Sequence, residues 1–321
     1  MSMQPVIILG APRSGTSLLQ TIIREHEGFR SVAKESGFVW HKYCHPSLRD
    51  WRCEGCPASA IDQRAIEEIR HQFDRYALSS RSWRRASGLN VLRYQRSPLM
   101  APVLKGGYFL LARLLRVLRA VMSGSSQGRL VDKSVHSGLF LNLLDAVFPD
   151  ALYIHIVRNG DDTVSSMIDG WLNPDRFFTY DLPGGLQIPD YPYREWNFAL
   201  PPGWEEYRKR PLADVVAFQW TRLQSSIMEH FDAPVLRERL LRVKLEDLTN
   251  NPTGTLRRIA AHVDLPWSDY FERLGQKMPT VNARPSDRKK RMSRKVAERM
   301  DRMAGEEARK VQAVNRALGY D

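Results

Sequence analysis

The chain has 321 residues, 43% of them hydrophobic and 26% charged, and its 48 Lys and Arg exceed its 36 Asp and Glu to give a net charge of +12. These proportions exclude a disordered chain and fit a globular protein with one elaborated domain, or one domain with insertions. The positive balance points to an anionic partner: nucleic acid, an acidic membrane, a sulfated glycan or a nucleotide with several phosphates. Charge alone does not choose among them.

Val6–Leu9 is an apolar strand, too short and without the basic flank of a secretory signal. A glycine-flanked turn leads into a helix over Thr16–His26, and a short strand follows at Arg30–Ala33. Helices are expected at Asp62–Ser79 and Lys105–Met122. In the second, Arg113, Arg116 and Arg119 recur every three residues. That gives one basic face, turned to solvent, a ligand or a membrane surface, and rules out a membrane span. With neither signal nor span, a cytoplasmic location is expected.

Strand Arg129–Val131, helix Gly138–Phe148, strand Leu152–Val157 and helix Asp161–Ile168 come next. Residues Trp171–Pro211 are rich in proline, glycine and aromatics without a sustained period, as in an irregular insertion. Helix Leu212–Phe231, strand Leu240–Leu245, helix Thr253–Val263 and a long helix Ser293–Leu318 complete the chain, and no internal repeat is present. Strands alternating with helices predict a three-layer α/β fold of the P-loop type, a central parallel sheet flanked by helices. A single domain over 1–321 is expected. It carries a cysteine-containing insertion near 40–60, the irregular one near 171–211, and a basic lid with the C-terminal helix near 284–318. Ligands of such sheets bind beyond the carboxyl ends of the strands, where the loop after Leu9, Glu35, Lys133 and Arg158 converge.

The junction PVIILGAPRSGTSLL, residues 5–19, is the most informative stretch. Strand, glycine loop and helix aim backbone N–H groups and a positive helix end at a phosphate. Gly10-x4-Gly15 followed by Thr16-Ser17 has the spacing of an NTP-binding P-loop, but Thr16 stands where lysine is required, and the cation comes earlier as Arg13. The loop is therefore built to hold a phosphate rather than to split a nucleoside triphosphate. A P-loop kinase remains an alternative, disfavoured by Thr16 and by the lack of an evident magnesium-binding acidic strand tip.

Pro12-Arg13-Ser14-Gly15-Thr16-Ser17 resembles the 5′-phosphosulfate loop, P-[KR]-S-G-T-[TS], of sulfotransferases that use 3′-phosphoadenosine 5′-phosphosulfate (PAPS). A second element supports the resemblance: an apolar strand ends at Arg158, and Ser166 follows eight residues later on a helix. The resemblance implies that Arg13, Ser14, Gly15, Thr16 and Ser17 bind the 5′-phosphosulfate. It assigns Arg158 and Ser166 to the 3′-phosphate, and leaves adenosine 3′,5′-bisphosphate as product. The family's cytosolic members stack adenine on a tryptophan where this chain has Leu18, so its adenine contacts differ.

Sulfuryl transfer moves an electrophilic group in line between two oxygens; it needs a base at the acceptor and cations around the moving group, and no metal. Lys133, in Asp132-Lys133-Ser134-Val135, resembles the lysine of a D-K-[ST]-P stretch that contacts the sulfuryl oxygens, with Val135 in place of proline. For the base, the resemblance favours Glu35, and His136 and His41 compete. The basic run containing Arg288 and Lys289 is implied to fold over the nucleotide ahead of the last helix, and Leu318-Gly319-Tyr320 resembles the ends of bacterial members.

Cys53-x2-Cys56, with Cys44 and a neighbouring His41 or His45, admits a structural zinc site, a Cys53–Cys56 disulfide or free thiols. A basic nucleic-acid-binding module is the remaining alternative, with Trp171, Trp196, Trp204 and Trp220 as stacking surfaces. Those aromatics fit an acceptor pocket or the core better. The aromatic, proline-rich insertion 171–211 and the apolar segment 106–122 suggest a partly hydrophobic acceptor. A small-molecule, lipid or glycan acceptor is expected, with peripheral membrane contact open and no specific nucleic acid.

Overall fold

Residues of the first strand alternate between two buried faces: Val6 and Ile8 join one apolar cluster, Ile7 and Leu9 the other. The computed structural model describes residues 4–32, 35–79, 128–177, 179–282 and 294–320. The expected helix Lys105–Met122 with its three arginines, and the basic residues Arg288 and Lys289, lie outside the described residues.

Six strands form the main sheet: β1 Val6–Leu9, β2 Phe29–Ser31, β3 Leu78–Ser79, β4 Arg129–Lys133, β5 Leu152–Val157 and β8 Leu240–Lys244. Their order is β3-β2-β4-β1-β5-β8, parallel except for β3, which pairs antiparallel at the edge. β1 lies between β4 and β5, with Val6 opposite both Val131 and Leu152. A strand covered on both faces must be apolar throughout, which is why VIIL reads as an unbroken run. The chain leaves β1 toward β2 on one side, and β4 hands it to β5 on the other. The loop after Leu9 therefore sits where the connections diverge, the place such sheets use for ligands.

One face of the sheet is covered by α1 (Thr16–Arg24) together with three later helices between 245 and 282; the other by α2 (Gly37–Cys44), α3 (Gln63–Tyr76) and α4 (Leu141–Val147). A third cluster joins α5 (Gly160–Trp171), α6 (Leu212–His230) and the aromatic insertion. Continuing along the chain, α7 (Leu245–Asn250), α8 (Pro252–His262), α9 (Asp269–Asn282) and α10 (Gly305–Ala317) follow.

Several expectations need correction. The helix expected to reach Ser79 stops at Tyr76, because Leu78 and Ser79 pair with Ser31 and Arg30. The helix expected from Gly138 begins at Leu141, after a separate 3-10 turn, Ser137–Leu139. Helices α2, α7 and α9 were not anticipated. The insertion contains a small antiparallel pair, β6 Thr179–Tyr180 with β7 Trp196–Asn197. Trp171, Trp196, Trp204 and Trp220 are all buried, so none offers a face for a nucleic-acid base. The long C-terminal helix is broken: residues 294–300 are helical, 301–304 are not, and α10 then begins. Buried Met303 fills the break, and Asp214 accepts from the Ala304 N–H at 2.8 Å. No described helix is long and apolar enough to cross a membrane.

Candidate active site

The loop after β1 is shaped by two glycines. A Cβ on Gly10 (φ 153°) would stand 2.5 Å from the Ile156 carbonyl oxygen, and one on Gly15 (φ 99°) 2.7 Å from Leu245. Ser14 closes the turn, its hydroxyl donating to the Ala11 carbonyl at 2.7 Å. Gly15 is the left-handed N-cap of α1 and no side chain caps that helix, so its first N–H groups face the loop. Arg13 is also left-handed, at φ 69°, which costs a non-glycine residue about 1–2 kcal/mol and throws the side chain outward. This cradle of N–H groups, hydroxyls and one guanidinium suits a phosphate or sulfate.

The Arg13 guanidinium reaches across the sheet edge. Its Nε donates to Ser166 Oγ at 3.1 Å, and its carbon lies 5.7 Å from the Phe177 ring centre. Ser166 is on α5, whose start is capped by Asn159 accepting from the Asp161 and Asp162 N–H groups. The two strand-to-helix motifs singled out in the sequence are thus in direct contact. Arg158, one residue beyond β5, is mostly buried and ion-paired with Asp162 at 3.4 Å.

The basic C-terminal segment docks on the same helix. Arg299 bonds the carbonyl and hydroxyl of Ser165, and Arg299 and Lys295 each meet the Asp169 carboxylate at 2.7 Å. Burial opposes ionisation of Asp169, but these two cations hold its carboxyl below the usual range. The last residues pin the start of α5: Asn315 Oδ1 accepts from the Gly160 N–H at 2.7 Å. Glu246 accepts from the Asn159 N–H at 3.2 Å and from the Tyr320 hydroxyl at 2.7 Å. Sequence reasoning missed Asn315 and Glu246, whose partners lie far off in the chain.

Lys133 ends β4 opposite Ile8 of β1 and is buried, and its ammonium is ion-paired with Glu35. The Val135 N–H approaches the other Glu35 oxygen at 3.4 Å. Beside them Asp132 accepts from the Ser36 hydroxyl at 2.7 Å, and Trp40 Nε1 donates to that same hydroxyl. Burial pushes the Asp132 carboxyl up to about 6, against the Ser36 hydrogen bond.

His136 belongs to a different constellation. Its Nδ1 contacts both oxygens of Glu54, at 2.8 and 3.0 Å, and His41 Nε2 is 3.6 Å from Glu54 Oε1. Burial pulls the His136 imidazole down, but the Glu54 charge outweighs it and holds the ring above its ordinary value. Burial likewise opposes Glu54 ionisation, and His136 and His41 overcome it. Glu54 Oε2 also accepts from the Leu200 N–H at 3.0 Å. Glu54 was hidden in the sequence between two more conspicuous cysteines.

All three cysteines are free, so the Cys53–Cys56 disulfide is not formed. Cys56 accepts instead from Arg49 at 2.9 Å and borders Cys44, whose hydrogen bond draws its thiol down to about 7. Among the described residues, the metal-ligating groups that converge are His41, Glu54 and His136, with no cysteine among them.

A phosphate cradle, a serine-bearing helix facing it and a lysine–glutamate pair at the neighbouring strand tip describe a site for transfer of an anionic group. A model described as "Sulfotransferase family" matches residues 5–182 and 193–269. The chain belongs to the sulfotransferase family, which makes it an enzyme of that class and removes the kinase and nucleic-acid alternatives. A search of curated proteins found no match. Among solved structures, the sulfotransferase domain of the Synechococcus PCC 7002 olefin synthase is 15% identical; the match covers 100% of this chain and 96% of that one, with a TM-score of 0.49. A sulfotransferase from Mycobacterium avium is 16% identical over 94% of this chain and 77% of its own, at 0.45. One from Alicyclobacillus acidocaldarius is 13% identical over 100% and 98%, also at 0.45.

Proposed function

We propose that the chain acts as a single domain that moves a sulfuryl group in line from PAPS to a hydroxyl or amine, in the cytoplasm, leaving adenosine 3′,5′-bisphosphate. The acceptor class is a small molecule, lipid or glycan. The observation that carries this reading is the Arg13–Ser166 hydrogen bond, which unites two motifs 153 positions apart beyond the carboxyl ends of β1 and β5.

Arg13, the N–H groups of Ser14 to Ser17 and the Thr16 and Ser17 hydroxyls hold the 5′-phosphosulfate. Arg158 and Ser166 take the 3′-phosphate. Asp162 is 44% exposed and meets Arg158 only at 3.4 Å, so a phosphate dianion can take its place on the guanidinium. Arg288 and Lys289 are assigned to the same nucleotide.

Glu35 is the general base. A base must meet a hydroxyl that arrives from solvent, and the Glu35 side chain is 43% exposed, that of His136 only 5%. As Glu35 takes the acceptor's proton it loses its charge, and the Lys133 ammonium is released to the sulfuryl oxygens. The transfer itself runs on fixed cations and uses no metal.

Thermal shift with adenosine 3′,5′-bisphosphate, ATP–Mg and an oligonucleotide tests the donor. Strong stabilisation by the bisphosphate alone supports the proposal; equal stabilisation by ATP–Mg contradicts it. Mass spectrometry for the gain of one sulfuryl group, on extracts with and without PAPS, identifies the acceptor.

A further inference from the structure

Beside the transfer site stands a group of side chains that the transfer does not use. His41 comes from α2, Glu54 from the loop after it, and His136 from the turn after β4. One ligand atom from each lies within 4.8 Å of the others. We propose that His41, Glu54 and His136 bind one first-row divalent cation, with zinc as the best fit.

Two imidazoles and a carboxylate form a donor set that zinc accepts. In a tetrahedral shell with bonds near 2.0–2.1 Å, neighbouring donors stand about 3.3 Å apart. The observed separations bracket that value: His136 Nδ1 to Glu54 Oε1 is 2.8 Å, and His41 Nε2 to the same oxygen is 3.6 Å. The second distance is too long for a hydrogen bond yet suits two ligands of one ion. The Tyr180 hydroxyl lies 3.2 Å from His41 Nε2.

Charge is compatible with it. Glu54 is 1% exposed, and its carboxylate needs a cation beside it; a protonated His136 can fill that role, and a bound ion takes it over as the ring gives up its proton. Its second oxygen is fixed by the Leu200 N–H, the outer-shell support that a metal ligand needs. His41, at 16% exposure, gives the ion a way in. A bound ion ties α2 and the loop at 53–56 to the segment that carries Lys133. Its role is to stiffen that wall.

The test uses the whole chain, stripped with a chelator and titrated with zinc alone. Calorimetry and elemental analysis are expected to give one ion per chain and a higher melting temperature. X-ray absorption of the loaded wild type is expected to show nitrogen and oxygen neighbours without sulfur. Glu54→Gln weakens binding about 100-fold or more, while the Cys44→Ser, Cys56→Ser double variant binds as before. Zinc bound well below one per chain, sulfur in its shell, or loss of binding in the cysteine variant overturns the proposal. If Glu54→Gln does not fold, the absorption spectrum of the wild type decides.

Discussion

Lys133, buried at the end of β4, is ion-paired with Glu35, half-exposed just beyond β2. The strand order explains the pairing, because β2 and β4 are neighbours and their tips end side by side. One partner is desolvated and the other faces solvent. In the proposed transfer, an arriving hydroxyl meets the carboxylate first, with the shielded cation behind it.

Glu35→Gln removes the proposed base but keeps the shape. Turnover is expected to fall about 10²–10⁴-fold, with affinity for adenosine 3′,5′-bisphosphate little changed. Steady-state kinetics beside calorimetric binding checks the split. Equal losses in both place Glu35 in nucleotide binding instead.

Gly10 cannot accept a side chain. A Cβ would collide with the backbone oxygen of Ile156, which cannot swing away as a flexible side chain would. Gly10→Ala is expected to destabilise the fold by about 2 kcal/mol or more. It also distorts the phosphate loop, and thermal denaturation with and without bisphosphate reads both effects. A wild-type melting temperature contradicts the geometry.

Asp132 gives stability a pH dependence with a definite sign. Its folded value of about 6 is above the ordinary aspartate value, so between the two the folded chain holds the extra proton. That contribution is complete below the ordinary value and is lost as pH rises through about 6. Asp132→Asn, which still accepts from Ser36, is expected to be more stable than wild type at pH 7.5 by about 1–3 kcal/mol. The advantage shrinks toward pH 4. Denaturant midpoints at the two pH values decide it.

Much of this was legible in sequence, for physical reasons. β1 and its loop stood out because a strand buried on both faces is wholly apolar and because the tight turn demands glycine at 10 and 15. Arg158 and Ser166 were singled out through the family resemblance, an arginine at a strand end with a serine eight residues on. Their contact partners were not: Arg13 meets Ser166, and Asn315 meets Gly160, only once the sheet is assembled. β3 and the β6–β7 pair are two residues long, too short for any alternation to register. The break in the C-terminal helix is marked locally by Gly305 with Glu306 and Glu307 after it, while the contacts of Met303 and Asp214 that hold it are tertiary. Trp171, Trp196, Trp204 and Trp220 show that composition cannot separate a displayed aromatic from a core one.

Arg13 and Ser166 are expected to exchange their mutual hydrogen bond for the ligand. Ser166→Ala therefore loses about tenfold in bisphosphate affinity, without the collapse that removing the Arg13 charge brings. Unchanged affinity in Ser166→Ala takes that serine out of the site.

The most direct measurement is calorimetric titration of adenosine 3′,5′-bisphosphate into the wild type, Arg13→Ala and Arg158→Ala. One site in the wild type, weakened about 100-fold or more in each variant, is the expected result. Wild-type affinity in either variant, or no binding to the parent chain, contradicts a shared grip on the two ends of one nucleotide.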